Sequence, residues 1–480
     1  MTQTRDIYLL NPKTLSPEVI AVTFAKTSRS PESFRDIAAE LTDAKSAEFH
    51  ERWVVGYGHA SVAEHAVLHI AFENVSRLAV ELIESNRLAS YTEKSTRYQV
   101  FDRDGYYTPP NVAASRHAGL YRDTIHALFD AYFDSIEPVR RVILAKYPRR
   151  EGEGEKKYEG RIRSKWIDNC RFLLPAATLA NLGMTANARV LEHGITKMLS
   201  HPLEEVRDIG AEVQRVAMAE VPTLVKYADR SEYLAASWKS DAASSKLEAG
   251  RTHPLQPPTS NLQPVTLIDY DRDAEAKLVA ACRYRASGAS FAEALAQAQS
   301  MTVEQRAQII DGALSGRGDF DTPLRELEHI TLTLDCVMDN GAYFDAKRHR
   351  MMTQTPQALT VDLGYAIPRA IEEAGFRERY CRALDQSIEA CRVLACDFPH
   401  EASYLVANAF NRRVMMTMNL RELFHFSRLR GAPNGHFSYR RIAVRLYEII
   451  RDVYPVFVRH MRCETYPSSD QIEKEFFAQV

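Results

Sequence analysis

Two stretches of the chain share one order of hydrophobic and polar positions. In each, three apolar residues alternate with polar ones, as in a strand with one buried face. A segment with helical spacing then follows each alternating run. The alternating positions are Leu68, Ile70 and Phe72 in the first stretch and Ile330, Leu332 and Leu334 in the second. The pattern predicts a strand followed by a helix at both places.

The residues around these predicted elements repeat as well. Glu64-His65 precedes the first strand and Glu328-His329 precedes the second, a separation of 264 residues. Arg87 and Arg350 follow the two helices, 263 residues apart. Self-similarity of this kind is the sequence mark of a repeated structural unit, so the matches indicate a tandem duplication.

A second match lies further along each copy. Asn187-Ala188-Arg189 in the first copy corresponds to Asn419-Leu420-Arg421 in the second. Each is followed by an amphipathic pattern, near 203–226 and near 437–460, which predicts a helix in both copies.

The segment between the copies has a different composition. Ser, Pro and other polar residues dominate 230–262, which is typical of a linker. We therefore predict a first domain at 1–229 and a second at 263–480. A charged run with glycines near 148–165 predicts a mobile surface insert rather than a phosphate-binding loop.

Composition excludes several classes of function. The 61 basic and 63 acidic residues give a net charge of −2, so no overall field favours nucleic acid or an anionic membrane. The start of the chain has no apolar core for a signal peptide and no segment is long enough to span a bilayer, so we expect a cytoplasmic protein. We find no common dinucleotide, P-loop or hydrolase motif and predict no metal site.

Two polar clusters are candidates for chemistry. Arg348-His349-Arg350 follows the second predicted helix, and "SYTEKSTRY" at 90–98 follows the first. Taken singly, the first is typical of a solvated helix end and the second of an ordinary loop. The alternative is an anion site in which hydroxyl groups, backbone N–H groups and the fork of Arg97 hold a phosphate.

Together, the two clusters and the repeat resemble the flavin-dependent thymidylate synthases. The signature of that family is an Arg-His-Arg triplet and a Ser-x-x-Glu-x-Ser-x-Arg-Tyr loop, and here the two occur in different copies. The resemblance covers nearly the whole chain, twice. It implies an α/β fold of the α+β type, with two tandem domains that are each a helix-flanked mixed sheet. It also implies active sites that lie between subunits of a tetramer.

The losses in the two copies are complementary. The triplet has become Ser85-Asn86-Arg87 in the first copy, and the loop positions have become Pro356, Ala358 and Thr360 in the second. Two further family arginines, Arg171 and Arg430, correspond to Ser403 and Met198 in the opposite copies. Each copy thus keeps what the other has lost, and one copy of each kind rebuilds one complete site. We expect a homodimer that forms a pseudo-tetramer; whether the site forms within or between chains is left open.

The resemblance implies methylation of dUMP to dTMP, with methylenetetrahydrofolate as donor, bound FAD as cofactor and NADPH as reductant. It assigns Arg430 to catalysis, through stabilisation of charge on the uracil ring. The implied nucleotide-binding residues are Glu93, Lys94, Ser95, Thr96, Arg97, Arg171, Asp345, Arg348 and Arg430. The implied flavin-binding residues are Ser61, Glu93, Asn187, Arg189, Arg348, His349, Arg350 and His425.

One position departs from the family pattern. Asp345 stands where the family usually has a glutamine that contacts the nucleotide, and a carboxylate there repels phosphate unless a cation such as Lys347 neutralises it. An alternative substrate is therefore another pyrimidine nucleotide such as UMP, methylated or hydroxymethylated at C5. A second alternative is a non-catalytic protein that only binds flavin or nucleotide.

Overall fold

The structure is a computed structural model that describes residues 6–28, 30–52, 60–238 and 263–478. The helices are α1 (Pro17–Lys26), α2 (Phe34–Glu40), α3 (Asp43–His50), α4 (Arg77–Ile83), α5 (Pro110–Ala113), α6 (Ala118–Lys146), α7 (Glu155–Cys170), α8 (Ala188–Leu199), α9 (Glu204–Glu220), α10 (Ala274–Ala286), α11 (Phe291–Gln299), α12 (Val303–Leu314), α13 (Asn340–Ala346), α14 (Arg369–Glu373), α15 (Arg377–Ala395), α16 (Leu420–Gly431), α17 (Phe437–Val453), α18 (Pro455–Val458) and α19 (Ser469–Phe476). The strands are β1 (Val67–Ser76), β2 (Ala89–Glu93), β3 (Leu179–Asn187), β4 (Val265–Tyr270), β5 (Thr331–Asp339), β6 (Thr353–Pro356) and β7 (Asn411–Asn419). Among the helices described, none combines the length and the apolar character that crossing a bilayer requires.

Contacts divide the described residues into two compact units. The first is drawn from Met1–Ser95, Asp104–Arg116 and Ala177–Thr252, and the second from Thr96–Arg103, His117–Ala176 and His253–Val480. Helices α6 and α7 and the segment after Ser95 therefore pack with the second unit, although they belong to the first sequence copy. The predicted domains at 1–229 and 263–480 describe the sequence copies and stay a prediction. Most of the predicted linker, 239–262, lies outside the described residues.

Each unit contains one sheet, and the two sheets share a register. The first has the order β1-β3-β2, and the second has the order β4-β5-β7-β6. Val67 lies opposite Asn187 in the first, and Thr331 lies opposite Asn419 in the second. The α/β fold class with two family-like domains is confirmed, but the sheets are antiparallel rather than mixed. The reason is that β3 lies between β1 and β2, which run in the same direction, and β7 separates β5 from β6 in the same way.

The alternating pattern gives each sheet its buried face. Along β1, Leu68, Ile70 and Phe72 are buried while their neighbours are exposed, as the period of two requires. In the second unit, Leu334 of β5 and Val414 of β7 are fully buried in the core that also includes α16 and α17. The two predicted strands are thus confirmed, and so are the amphipathic helices, which are α9 and α17.

A β-bulge explains why the repeat spacing changes by one residue. The register of β1 against β3 shifts between Phe72 and Val75, and Asn74 adopts a positive φ of 56° there. No shift interrupts β5 against β7. The bulge therefore adds one residue to the first copy, so the separation falls from 264 before the strand to 263 after it.

One hydrogen bond is conserved between the copies with its partners exchanged. In the first unit, Ser76 caps α4 and its hydroxyl donates to Glu205 of α9 at 2.6 Å. In the second unit, Asp339 caps α13 and its carboxylate accepts from the hydroxyl of Ser438 in α17. Each unit thus ties the helix after its first long strand to its amphipathic helix through a hydroxyl and a carboxylate.

Inside the second unit, matching segments of the two copies pair reciprocally. The carbonyl of Leu174 accepts from the N–H of Asn408 at 3.0 Å, and the carbonyl of Val406 accepts from the N–H of Ala176 at 2.9 Å. Leu174 matches Val406 in the repeat, and Ala176 matches Asn408. Such an exchange is what a two-fold axis between identical subunits produces, and here it occurs within one chain.

The predicted surface insert contains regular structure. Its residues from Glu155 onward form the start of α7, which runs to Cys170. From within the helix, Arg161 donates to two residues that precede it, to the carboxylate of Glu153 at 2.8 Å and to the carbonyl of Pro148 at 3.1 Å. Residues 155–165 of the predicted mobile insert are therefore helical: Gly152 and Gly154 precede the helix, and Gly160 lies within it.

Candidate functional site

The second unit brings together predicted site residues from both sequence copies. Arg97 lies just after the unit begins at Thr96, and Arg171 begins the turn at the end of α7. From the second copy come Asp345 in α13, His349 after it, and Arg430 in the last turn of α16. Contacts within this unit connect all five side chains, as follows.

Arg97 is held by an acid that the sequence analysis did not identify. Its Nε and Nη2 donate to the two carboxylate oxygens of Asp168 in α7, at 2.8 and 2.9 Å. Its Nη1 donates to the hydroxyl of Tyr439 at 3.2 Å. Burial lowers the pKa of Arg97, but the hydrogen bonds and the charge of Asp168 outweigh burial and leave that pKa above its usual value. The predicted phosphate-binding fork of Arg97 is thus engaged by Asp168.

Arg171 is almost completely buried, with 3% of its surface exposed. Its Nη1 donates to the hydroxyl of Thr96 at 3.1 Å and its Nη2 to the carbonyl of Gly341 at 3.3 Å. Its buried Nε has no hydrogen-bond partner among the residues the structure describes. Burial lowers the pKa of Arg171. A buried guanidinium with a donor to spare is a strong attractor for an anion.

His349 connects a carboxylate to Arg430. The Nε of Arg430 donates to Nε2 of His349 at 2.8 Å, so Nε2 carries a lone pair. The proton must then be on Nδ1, which lies 2.7 Å from a carboxylate oxygen of Glu422 and donates to it. Burial is the main reason that the pKa of His349 is lowered. His349 is therefore a neutral, fixed acceptor that orients Arg430.

Asp345 lies among three arginines. Its Oδ1 accepts from Nη1 of Arg430 at 3.5 Å and lies 3.7 Å from Nη1 of Arg348. Its Oδ2 lies 4.0 Å from Nη2 of Arg171. These arginines, and not Lys347 alone, surround the carboxylate that the sequence analysis found out of place. The cluster has excess positive charge despite the acid.

Tyr439 is another site residue that the sequence analysis did not identify. Its ring lies 5.3 Å from the guanidinium of Arg430 and 5.9 Å from that of Arg97, distances at which a cation is attracted to an aromatic face. Next to it, the buried His436 accepts from the N–H of Ser438 and donates from Nε2 to the carbonyl of Asp168 at 3.0 Å. Tyr439 thus links an arginine of the first copy to one of the second.

The residues around the triplet differ in exposure. Arg348 is exposed and Arg350 is half-buried, whereas His349 is buried. The ring of His425 is exposed and lies 5.3 Å from the ring of His349. Of the predicted flavin-binding residues in this unit, Arg348, Arg350 and His425 are thus at least partly exposed to solvent, while both ring nitrogens of His349 are engaged inside the protein.

The remaining predicted site residues lie in the first unit. The carboxylate of Glu93 pairs with Arg77, both side chains being nearly inaccessible, and the N–H of Lys94 donates to the carbonyl of Asn181. Ser95 is the last residue of the first of the three segments that form this unit. Residues 90–93 of the predicted loop belong to strand β2 instead, because they pair with β3 at the sheet edge.

Two more of the predicted flavin-binding residues have local side-chain partners in the first unit. Asn187 caps α8 by accepting from the N–H of Val190, and Arg189 pairs with Glu64 at 2.5 Å. Ser61 is exposed at the start of a 3-10 turn.

The second copy repeats two of these local interactions. Asn419 caps α16, and Arg421 pairs with Glu328 at 2.6 Å. The same cap and ion pair in both copies give these residues a structural role, whichever copy keeps a ligand.

Sequence signals existed for some of the missed residues. Asp168 precedes Arg171 by three positions, so a helix puts both on one face, and Glu422 lies three positions before His425 in α16. Tyr439 had no comparable signal. Among the described residues, no group of three or more His, Cys, Asp or Glu side chains could hold a metal ion.

Comparison with known proteins agrees with the duplicated sequence. The profile of the family described as thymidylate synthase complementing protein matches residues 10–223 and again 266–456. A UPF0159 protein of Chlamydia muridarum is 31% identical over 442 residues, which cover 90% of this chain and 83% of that relative. Another, from Chlamydia pneumoniae, is 30% identical and covers 97% of this chain and 93% of its own.

Relatives with a stated activity match one part of the chain. The flavin-dependent thymidylate synthase of Clostridium tetani is 27% identical over 220 residues, 45% of this chain and 84% of that enzyme. The solved structure of the Helicobacter pylori flavin-dependent thymidylate synthase, complexed with FAD and dUMP, covers 45% of this chain and 96% of that chain, at 18% identity and a TM-score of 0.30.

Proposed function

The chain belongs to the thymidylate synthase complementing protein family, in a duplicated arrangement, and from this premise we propose that it converts dUMP to dTMP by flavin-dependent reductive methylation. In this proposal methylenetetrahydrofolate supplies the one-carbon unit and NADPH the reducing equivalents. The proposed site lies within one chain and contains residues of both copies.

One observation carries the proposal. Arg97 and Arg171, kept only by the first copy, contact residues of the second copy inside a single compact unit, where Arg430 and His349 also lie. Copies that decayed without function have no reason to retain complementary halves that meet. The reciprocal pairing of Leu174 with Asn408 and of Val406 with Ala176 supports the same conclusion, because it reproduces a subunit contact inside the chain.

In the proposed site Arg171 holds the nucleotide phosphate. Its side chain is buried, its charge is uncompensated by any direct carboxylate hydrogen bond, and its Nε is available. Asp168 holds Arg97, and Nη1 of Arg97 donates to the hydroxyl of Tyr439. Ser95, two residues before Arg97 in the chain, stays a nucleotide-binding residue that the family resemblance alone implies. Glu93 and Lys94 border this segment.

Arg430 is the proposed catalytic residue. Methylation of an unreactive ring carbon requires electron density at C5, which grows as negative charge develops on the pyrimidine. A guanidinium fixed by His349 and packed on Tyr439 offers preorganised positive charge at no reorganisation cost. Glu422 maintains the required tautomer of His349, so Glu422 and His349 are positioning residues.

The donor set around the triplet fits a flavin nucleotide. Arg348 and Arg350 supply two cations for a diphosphate, and the exposed His425 offers a ring next to them. Bound there, FAD would provide hydride for the reduction of the transferred one-carbon unit. Ser61, Asn187 and Arg189 stay flavin-binding residues that the family resemblance alone implies.

The experiment that tests the function follows single turnover without oxygen. Flavin of the purified protein is reduced with NADPH, dUMP and methylenetetrahydrofolate are added, and flavin reoxidation and dTMP are measured together. We expect both in wild type and in Arg451→Met, an exposed-arginine control, but not in Arg430→Met. Reduced flavin that nucleotide and folate never reoxidise would identify a non-catalytic binding protein instead.

A second candidate substrate is UMP, and Asp345 is the observation that favours it. A carboxylate can accept a hydrogen bond from a sugar hydroxyl, which a ribonucleotide has in addition. Asp345 lies within 4.0 Å of Arg171, the proposed phosphate ligand. If Asp345 binds the additional sugar hydroxyl, Asp345→Gln should raise the ratio of kcat/KM for dUMP to kcat/KM for UMP by about ten-fold or more. An unchanged ratio would remove Asp345 from substrate selection.

A further inference from the structure

A cavity lies in the second unit, and Asp168 is part of its wall. It has a volume of about 350 Å³, within the range of small-molecule sites. Lys146 and Tyr147 at the end of α6, Lys165 and Asp168 of α7, and Arg440 of α17 contribute to its wall. Of these, Asp168 holds Arg97 of the proposed nucleotide site, and Arg440 follows Tyr439 in the chain.

The cations that line this cavity outnumber the acids available to them. Lys146 is paired with Glu373 outside the lining, and Asp168 with Arg97. Lys165, Arg369 and Arg440 have no carboxylate within ion-pair distance among the described residues, and one lining acid, Glu475, is left to face all three. The lining therefore carries an excess of positive charge.

The unpaired cations are also poorly solvated. Arg440 is 6% exposed, and the one hydrogen bond that its side chain makes among the described residues, to the carbonyl of Gly431, is long at 3.4 Å. The Nε of Arg369 is buried without a hydrogen-bond partner in the described chain. Burial lowers the pKa of both Lys165 and Arg440. Buried cations left in this state are costly unless an anion compensates them.

Aromatic rings supply the rest of the wall. The ammonium of Lys165 lies 4.1 Å from the ring centroid of Tyr147. Phe437 and Phe476 stack with their ring centroids 5.0 Å apart and their planes at 4°, and both line the cavity. The cavity thus combines cations with flat apolar surfaces.

We infer that this cavity is a second ligand site, which takes an aromatic anion of mononucleotide size with a phosphate or carboxylate head group. The head group lies against Lys165, Arg369 and Arg440, and the ring lies against the aromatic wall. Because Asp168 lines this cavity and also holds Arg97, an occupant changes the field at the nucleotide site. By linkage, nucleotide then changes the affinity of the occupant equally.

The test measures binding to the full-length protein by isothermal titration, with three probes: dTMP, p-aminobenzoyl-diglutamate and inorganic phosphate. Wild type is compared with the double variant Lys165→Met and Arg440→Met. The control is Lys157→Met, an exposed lysine on the same helix. A thermal melt confirms folding, which we expect to be preserved because the variant removes buried unpaired charge.

We expect at least one aromatic probe to bind at a site that the double variant weakens on the order of ten-fold or more, with Lys157→Met unchanged. Weakened dTMP binding identifies a nucleotide source, and weakened p-aminobenzoyl-diglutamate binding identifies a carboxylate source. Equal binding of both aromatic probes by wild type and the double variant, or an effect on inorganic phosphate alone, would overturn the inference. Because the measurement is of binding, it is independent of whether turnover is found.

Discussion

The two sequence copies have the same scaffold and different chemistry. In both, the long strands pair in one register, an Asn caps the following helix, and an Arg pairs with a Glu of the Glu-His dipeptide. In the second copy Glu422, His349 and Arg430 form a chain of hydrogen bonds. The matching residues of the first copy are Val190, Asn86 and Met198.

This comparison separates residues that maintain the fold from residues that maintain a reaction. The cap and the ion pair persist in both copies, so they are needed wherever the fold exists. The first copy has none of the three residues that form the hydrogen-bonded series Glu422, His349 and Arg430. This joint loss is expected of groups that work only as a set. The first copy in turn has Arg171 where the second has Ser403.

The largest effect is expected when the second copy is given the residue of the first at position 430. Arg430→Met should lower kcat by about 10²–10³-fold, as loss of one preorganised donor at a developing charge does, with flavin content unchanged. Single-turnover reoxidation measures it, with Arg451→Met as the matched control. The reverse change, Met198→Arg, should leave turnover unchanged because its surroundings lack the histidine and the glutamate.

A smaller loss is expected at the positioning residue. His349→Asn, again the residue of the first copy, keeps Arg430 but removes the fixed acceptor of its Nε. We expect kcat to fall by roughly 10–100-fold, with a smaller change in the KM for nucleotide, as a misplaced catalytic group predicts. A rise of the same size in the KM for nucleotide, with kcat unchanged, would mean that His349 serves binding and not orientation.

Two serine variants test whether the hydrogen bond between a hydroxyl and a carboxylate stabilises both copies equally. Ser438→Ala removes the hydroxyl that donates to the buried Asp339, and Ser76→Ala removes the one that donates to Glu205. Each should lower the free energy of unfolding by about 1–3 kcal/mol, measured by urea denaturation. If only one of the two variants is destabilised, the interaction is not equivalent in the two copies.

The last prediction concerns pH. Burial holds the pKa of His50 at about 4, and burial also lowers the pKa of His349 and of His436 below the ordinary 6.5. The unfolded chain therefore takes up protons first as the pH falls. Above about pH 6.5 these histidines do not lower the free energy of unfolding. As the pH decreases below about 6.5, the free energy of unfolding should decrease by roughly 1.4 kcal/mol per pH unit for each histidine.

The control for the pH effect is His50→Gln. Since this variant removes one titrating group, urea denaturation between pH 6.5 and 4.5 should give a shallower dependence on pH than wild type. The same slope in both proteins would mean that His50 takes up its proton equally in the folded and unfolded states.

Much of the fold could be predicted because the repeat doubled the signal. Alternation at Leu68, Ile70 and Phe72 gave β1, and its match gave β5. The bulge at Asn74 was hidden in a one-residue change of spacing, and the start of α7 was obscured by glycines that precede it. The antiparallel order depends on a long-range pairing of β3 between β1 and β2, which local periodicity does not contain.

The site was predictable where the family motif fixes a residue type. Arg97, Arg171 and Arg430 were named from the sequence, and the structure brings all three into one unit. Asp168 and Tyr439 were not named, because their roles come from tertiary contacts with Arg97 and not from a motif. The sequence analysis named His349 for flavin binding but not for the position of its ring between Glu422 and Arg430, to which its two nitrogens bond.

The central claim is that one chain contains a complete site, and subunit mixing tests it most directly. Arg171→Met and Arg430→Met chains, each with a different tag, are co-expressed and purified through both tags, and dTMP formation is measured. Within-chain sites predict no activity in the mixed species, because each chain has one defect in its own site. If sites form between chains, one of the two sites in each mixed dimer is intact, and recovery of about half the wild-type activity would contradict the account.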